Sequence, residues 1–225
     1  MKYLKTMLII IAAAGLARGV TIYQDTFSTD GVLSGRAVET GTGNWIAYST
    51  LTTSNGVALP GATVNGKDAV LAFTPQAGVV YTLSADISAI SGSSYIGVGF
   101  AANSVVPTGN ELFANLVDTA APWTYVVTNG TVATLLGPGG GGYSGFVGKG
   151  ATGTIKIVLD TTGTNWVSTW YYNNAALRTN TYSGALTGIN YVGFGTGGSL
   201  NATVDNFKLD VEYQRRLSLM VLSTL

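Results

Sequence analysis

Apolar and polar positions alternate with a period of two along much of this chain. Val79, Tyr81, Leu83, Ala85 and Ile87 share one side, with Thr82, Ser84, Asp86 and Ser88 on the other. Ile96, Val98 and Phe100 alternate with Gly97 and Gly99, and Ile155, Ile157 and Leu159 with Thr154 and Lys156. Phe207, Leu209 and Val211 alternate with Lys208 and Asp210. Strands that bury one face and wet the other have this pattern. Runs at 21–27, 44–49, 69–74, 111–117, 123–128, 131–136, 165–172 and 190–196 read the same way, making about twelve strands in all. Turn residues separate them: Asn129-Gly130, Asn173-Asn174 and the Thr161–Thr164 link. Segments of helical composition and period are missing. The expected fold is all-β, one domain of two packed antiparallel sheets.

Two segments are similar to each other, Tyr95-Ile96-Gly97-Val98-Gly99-Phe100 and Tyr191-Val192-Gly193-Phe194-Gly195-Thr196. Two copies do not make a solenoid. Both are expected to be central strands where glycine permits close packing. The run Gly137-Pro138-Gly139-Gly140-Gly141-Gly142 opens a stretch to Gly150 that reads as a mobile loop over the sandwich rim. It does not have the order of a phosphate-binding loop, because Gly148-Lys149 is followed by Gly150 rather than Ser or Thr.

Composition narrows the chemistry. The 225 residues include no cysteine and no histidine. Disulfide frameworks, zinc fingers and Ser-His-Asp or Cys-His catalytic sets are therefore excluded. Residues 1–19 read as a secretory signal peptide: Lys2 and Lys5, then an apolar run centred on Leu8–Ala14, then Ala17-Arg18-Gly19. Cleavage is expected after Gly19, with Ala14 and Ala17 as other ends. Losing Lys2, Lys5 and Arg18 from eleven basic residues leaves eight against eleven acidic ones, a net charge of −3. That balance disfavours nucleic acid as a partner. The expected organisation is a signal at 1–19, a sandwich domain at 20–212 and a short apolar tail at 213–225. The tail is too short to span a bilayer. The expected location is secreted or on the cell surface of a bacterial envelope.

Three stretches carry a family resemblance. They are Ile22–Phe27 followed by Gly43-Asn44-Trp45, Thr164–Asn174 followed by Tyr191–Gly195, and the closing Val204-Asp205-Asn206-Phe207-Lys208-Leu209. In this order they resemble the concanavalin A-like, laminin-G-type jelly rolls of exported bacterial proteins. The resemblance implies a two-sheet antiparallel jelly-roll sandwich. It also implies one structural Ca²⁺ bridging the first and last strands, with Asp25 and Asp205 as the carboxylates in matching places. Asp205 has the parity of Phe207 and Leu209, so it is expected to point inward. The chain departs from those proteins at its end: Arg215-Arg216 precedes the apolar residues, and the usual sorting signal is missing.

The polysaccharide-cleaving members of this fold place carboxylates in a tight Glu-x-Asp-x-x-Glu strand, and cleavage needs two carboxyls about 5–9.5 Å apart. Here the glutamates are Glu39, Glu111 and Glu212, and only Glu212 has an acidic same-face neighbour, Asp210. The expectation is a protein without catalytic residues. Carbohydrate binding needs aromatic platforms with polar neighbours. Trp166, Ser168, Trp170 and Tyr172 share one face of a strand, and Val167, Thr169 and Tyr171 share the other. If the second face is core, the first is an open aromatic ladder; the opposite choice makes the tryptophans core. Trp45, Trp123 and Tyr143 lie near expected loops and complete the candidate carbohydrate-binding set. A polysaccharide or cell-surface glycan is the expected partner. The alternatives are a structural surface protein that self-associates through its C-terminal tail and a polysaccharide-degrading glycoside hydrolase whose carboxylate pair comes from distant strands.

Overall fold

The structure, a computed structural model, describes residues 19–48, 50–59, 68–101, 122–129, 132–136, 142–148 and 152–213, with the backbone alone at 59, 89–95, 124–129, 132–136, 142–148 and 196–201. Most of the signal segment, the expected strand at 111–117, Gly130 and the tail beyond Tyr213 lie outside these residues. In chain order the strands are β1 (Gly19–Asp25), β2 (Gly31–Val32), β3 (Ile46–Ala47), β4 (Thr52–Ser54), β5 (Val57–Leu59), β6 (Asp68–Ala72) and β7 (Val79–Ala101). They continue with β8 (Trp123–Asn129), β9 (Val132–Leu136), β10 (Gly142–Gly148), β11 (Gly153–Asp160), β12 (Val167–Tyr172), β13 (Ala175–Thr181) and β14 (Tyr191–Tyr213). The described residues form no helix, and the architecture is an antiparallel two-sheet jelly-roll sandwich.

The frame is the pairing of β7 with β14, which runs from Tyr191↔Ala101 to Tyr213↔Val79. Residues 13 apart in a straight strand would be about 43 Å apart. Yet the rings of Phe194 and Phe207, both on β14, have centroids 6.1 Å apart. The strand therefore bends back, and the β7–β14 ladder serves both layers. One layer runs β1–β14–β7–β11–β12–β13 and the other β3–β6–β14–β7–β8–β9–β10. The short strands β2, β4 and β5 join through Val204↔Ala58.

The bend is made by irregularities. Pairing shifts between Asn201 and Thr203 and again between Asp205 and Lys208, and Asn206 takes a positive φ of 48°. An extra residue in one strand flips the parity of buried positions beyond it. On β14 the buried set changes from Val192, Phe194, Ala202 and Val204 to Phe207, Leu209 and Val211. The core closes on a ring cluster in which Trp45 lies 5.1 Å from Phe207 and 5.5 Å from Phe194, with Phe27 at 5.9 Å.

Several expectations hold. The buried sides of 79–87, 155–159 and 207–211 are those the alternation gives, whereas 96–100 is buried on both sides, Gly97 and Gly99 included. Asn173 and Asn174, both at positive φ, turn β12 into β13. The two similar glycine segments are central neighbours, with Gly193↔Gly99 and Gly195↔Gly97 in register. Other expectations need correction. Gly142–Gly148 is not loop but strand β10, paired with β9. β13 was not expected; it is an edge strand with little alternation in its sequence. Among the described residues no helix is long and apolar enough to cross a membrane.

Candidate functional site

The ambiguous face of β12 resolves against an aromatic ladder. Trp166, Ser168, Trp170 and Tyr172 are buried, Trp170 to 1% exposure. Tyr172, Trp170 and Ser168 stand in register with Ile155, Ile157 and Leu159 of β11, which extend the core. The outward face is Val167, Thr169 and Tyr171, where the Lys156 ammonium lies 4.3 Å from the Tyr171 ring centroid. The Trp170 indole N–H is buried with no acceptor among the described residues, and the Arg178 guanidinium covers the ring at 5.5 Å. Trp166, Trp170 and Tyr172 thus pack the core and offer no platform to a sugar. Trp45 is core as well. Tyr143 sits on β10 opposite Leu135, and its side chain lies outside the described residues.

Asp25 and Asp205 do not face one another: one points into the core and the other lies on the outward face. Asp25 is fully buried and faces the core beside its β14 partner Phe207. Its carboxylate accepts from the Phe27 amide at 2.8 Å and the Trp45 indole N–H at 2.6 Å, and the Arg36 guanidinium lies at 3.3 Å. Arg36 also donates to Thr29 O and, at 2.8 Å, to Thr53 Oγ1. The oxygens that calcium would need are occupied, and the compensating cation is a protein side chain. Asp205 lies on the outward face, paired with Asp86, because the bulge at Asn206 reverses the parity. Its carboxylate accepts from the Asn206 backbone N–H at 2.6 Å. Partial burial pushes the Asp205 carboxyl up, and the charges of Asp86 and Glu39 add to this while the Asn206 amide opposes it. The residues present therefore do not fit a bridging Ca²⁺. Among the described residues no cluster of three or more acidic groups is arranged to hold a metal.

Glu39 is a local clasp. Its two oxygens accept four hydrogen bonds, from the amides and hydroxyls of Thr26 and Ser28, at 2.6–2.9 Å. Burial pushes the carboxyl up, but these four donors outweigh it and hold it at about 2. A lowered carboxyl stabilises the fold above its unfolded value near 4.5, and that contribution is lost as the pH falls towards 2. Glu39→Gln should therefore lower stability at pH 7 by up to about 1 kcal/mol, a figure kept small by solvent exposure. The gap from wild type should close in denaturation curves taken near pH 2; a gap independent of pH would contradict this origin.

The same-face carboxylates Asp210 and Glu212 lie on the solvent side of β14. Asp210 accepts from Thr21 Oγ1 at 2.7 Å and pairs with Lys208 at 2.8 Å. Glu212 is exposed between Gly19 and Val80.

A more coherent arrangement lies on the side of the second layer that faces away from the core. Two registered rows cross it: Asp68–Gly195–Gly97–Tyr125 and Val70–Gly193–Gly99–Trp123. The core-facing rows between them carry Ala69, Phe194 and Val98, then Leu71, Val192 and Phe100. Every position of these rows whose burial is described is buried, so they form a covered trough. Its floor is four glycines without side chains; one wall holds a carboxylate and the other an indole. Three strand spacings separate the walls, about 14 Å. Asp68 and Trp123 are 3% and 2% exposed. The glycines have a structural cause too. A Cβ on Gly193 would lie 2.1 Å from Ala69 O, and one on Gly99 would lie 2.6 Å from Trp123 Cα. The neighbouring strands approach too closely for any side chain. Of the sequence candidates, Trp123 is the one brought here. Asp68 escaped notice because β6 is buried at four successive positions, Asp68–Leu71, so it shows no alternation.

With this geometry in view, comparison with known proteins fixes the fold. No family model and no curated protein matches the chain. Solved structures do: the Emp47p carbohydrate recognition domain aligns with 16% identity and a TM-score of 0.60, over 90% of this chain and 100% of that one. The endo-1,3-beta-glucanase from Streptomyces sioyaensis aligns with 11% identity and a TM-score of 0.57, over 91% and 100%. The Lotus tetragonolobus seed lectin aligns with 9% identity and a TM-score of 0.54, over 87% and 100%. The chain shares the two-sheet jelly-roll fold of these proteins. At these identities the likeness is one of architecture; it does not carry over a ligand or an activity.

Proposed function

We propose that this protein is an exported, non-catalytic glycan-binding domain that uses the trough between Asp68 and Trp123. The observation that supports the reading is a carboxylate and an indole set across a floor of bare backbone, both covered in this structure, so that a ligand must displace what lies over them. A carboxylate accepts sugar hydroxyls, an indole packs on the apolar C–H face of a ring, and glycine lets the ligand approach the sheet. The wall spacing suits a short oligosaccharide better than one ring. The similarity in fold to carbohydrate recognition domains and seed lectins supports it. A neutral glycan fits best, because eight basic residues are few to offset a polyanion.

The test is a glycan array with the protein recovered from its host, followed by titration of the best ligand. Binding should change little with salt, since hydrogen bonding and stacking are screened less than ion pairing. Asp68→Asn should weaken it at least tenfold, as expected for loss of a charged acceptor worth about 1.5–3 kcal/mol, and Trp123→Phe should weaken it as well. No retained glycan, or both variants binding like wild type, would reject the reading. Export is checked in the same preparation: the N-terminus should fall near Ala17–Val20, and a chain beginning at Met1 inside the cell would contradict it.

A further inference from the structure

A cavity opens at the end of the sandwich, where β1, the start of β7, the end of β14 and the segment after β6 meet. It has a volume of about 220 Å³, and Tyr23, Phe73, Thr74, Gln76, Tyr81 and Tyr213 are among its lining residues. It shares no residue with the Asp68–Trp123 trough. Among the described residues no charged side chain lines it.

Its polar groups are complementary in kind. The Tyr23 hydroxyl donates to Ala72 O at 2.7 Å, which leaves its oxygen free to accept. The Tyr81 hydroxyl accepts the Gln76 amide at 2.7 Å, and among the described residues its own hydrogen has no acceptor. Burial pushes both phenols up, so they stay protonated. The cleft thus presents one uncommitted donor and one uncommitted acceptor. A sugar hydroxyl, which donates and accepts at once, satisfies both. Phe73 packs edge-on against Tyr81 at 5.1 Å and holds that ring in place. At the mouth Tyr213 is 50% exposed, one of three large apolar residues left so among the described residues. A half-exposed ring beside a cleft is placed to stack on a ligand. The volume is below that of pockets for drug-sized molecules, about 300–1,000 Å³, and suits one small ring.

We infer that this tyrosine-lined cleft is a second carbohydrate subsite, one that takes a single neutral sugar ring, with Tyr213 stacking at its mouth and Tyr23 and Tyr81 bonding its hydroxyls. It rests on the reading of the protein as a glycan binder but not on the trough. The protein labelled at its tyrosine rings is titrated with the methyl glycosides of glucose, galactose, mannose and N-acetylglucosamine and followed by NMR. At least one glycoside should shift the Tyr81 and Tyr213 signals saturably. Tyr213→Ala should weaken that binding about tenfold, or about 1.4 kcal/mol. Tyr81→Phe, which keeps the ring but removes both the free hydroxyl hydrogen and the acceptor of the Gln76 amide, should weaken it severalfold, with a melting temperature lowered by no more than the loss of that one hydrogen bond. Asp68→Asn should leave this titration unchanged, so failure of the trough and failure of the cleft are read separately. Absence of a saturable shift with all four glycosides would overturn the inference. So would binding indifferent to both tyrosine variants, or loss of the cleft signal in Asp68→Asn.

Discussion

Asp25→Ala should destabilise the sandwich by about 3–5 kcal/mol, the range for breaking a buried ion pair from one side. Asp25 is fully buried and serves three groups at once: the Phe27 amide, the Trp45 indole and the Arg36 guanidinium. Removing it leaves the indole N–H of the central core ring without its acceptor and a largely buried guanidinium without its counter-charge. In a chain of this size each kcal/mol moves the melting temperature by about 2–4 °C, so a fall of roughly 6–20 °C is expected. Asp25→Asn keeps the shape and one acceptor and should cost less. Thermal unfolding with and without a chelator completes the test. The wild-type midpoint should not respond to the chelator, because Arg36 supplies the cation that links β1 to the loop around Thr29 and to β4. A chelator-sensitive midpoint, or an Asp25→Ala variant within about 1 kcal/mol of wild type, would show that the network has been misread.

Gly193→Ala should be nearly as damaging although it adds a single methyl group. The new Cβ would meet Ala69 O at 2.1 Å and Val70 Cα at 2.8 Å, both on the backbone of β6. No side-chain rotation relieves a clash with backbone. Strand β6 would have to move away, which breaks the ladder from Tyr191↔Ala72 to Gly195↔Asp68. The expected loss is about 3 kcal/mol, the upper end of overpacking. Gly43→Ala is the control, since its Cβ would meet Tyr23 Cε1 at 3.4 Å, an ordinary contact. It should change stability by no more than about 0.5 kcal/mol. Denaturant unfolding of the two variants side by side decides the matter; equal stabilities would mean the strands are less closely spaced than described. Because Asp68 and Val70 ride on β6, a Gly193→Ala protein that still folds should also lose trough binding.

What the chain determined by itself was the part where only one face of a strand is apolar. The strands at 79–87, 155–159 and 207–211 have a wet side and a dry side, and period-two alternation names the buried one without knowledge of any partner. The turn at Asn173-Asn174 is equally local, because asparagine tolerates the positive φ that a tight hairpin demands. Tertiary structure decided the rest. Both faces of 166–172 carry large apolar side chains, and Trp170 went inside because Ile157, its neighbour in the sheet, already faced the core. Asp205 went outside because one bulge at Asn206 reverses parity, and a bulge leaves no mark on the alternation before it. Asp68 sits on a strand buried on both sides, where alternation disappears. The cation for Asp25 proved to be Arg36, eleven residues away across a loop. In each case the side a residue faces was settled by groups distant along the chain, which a local period does not encode.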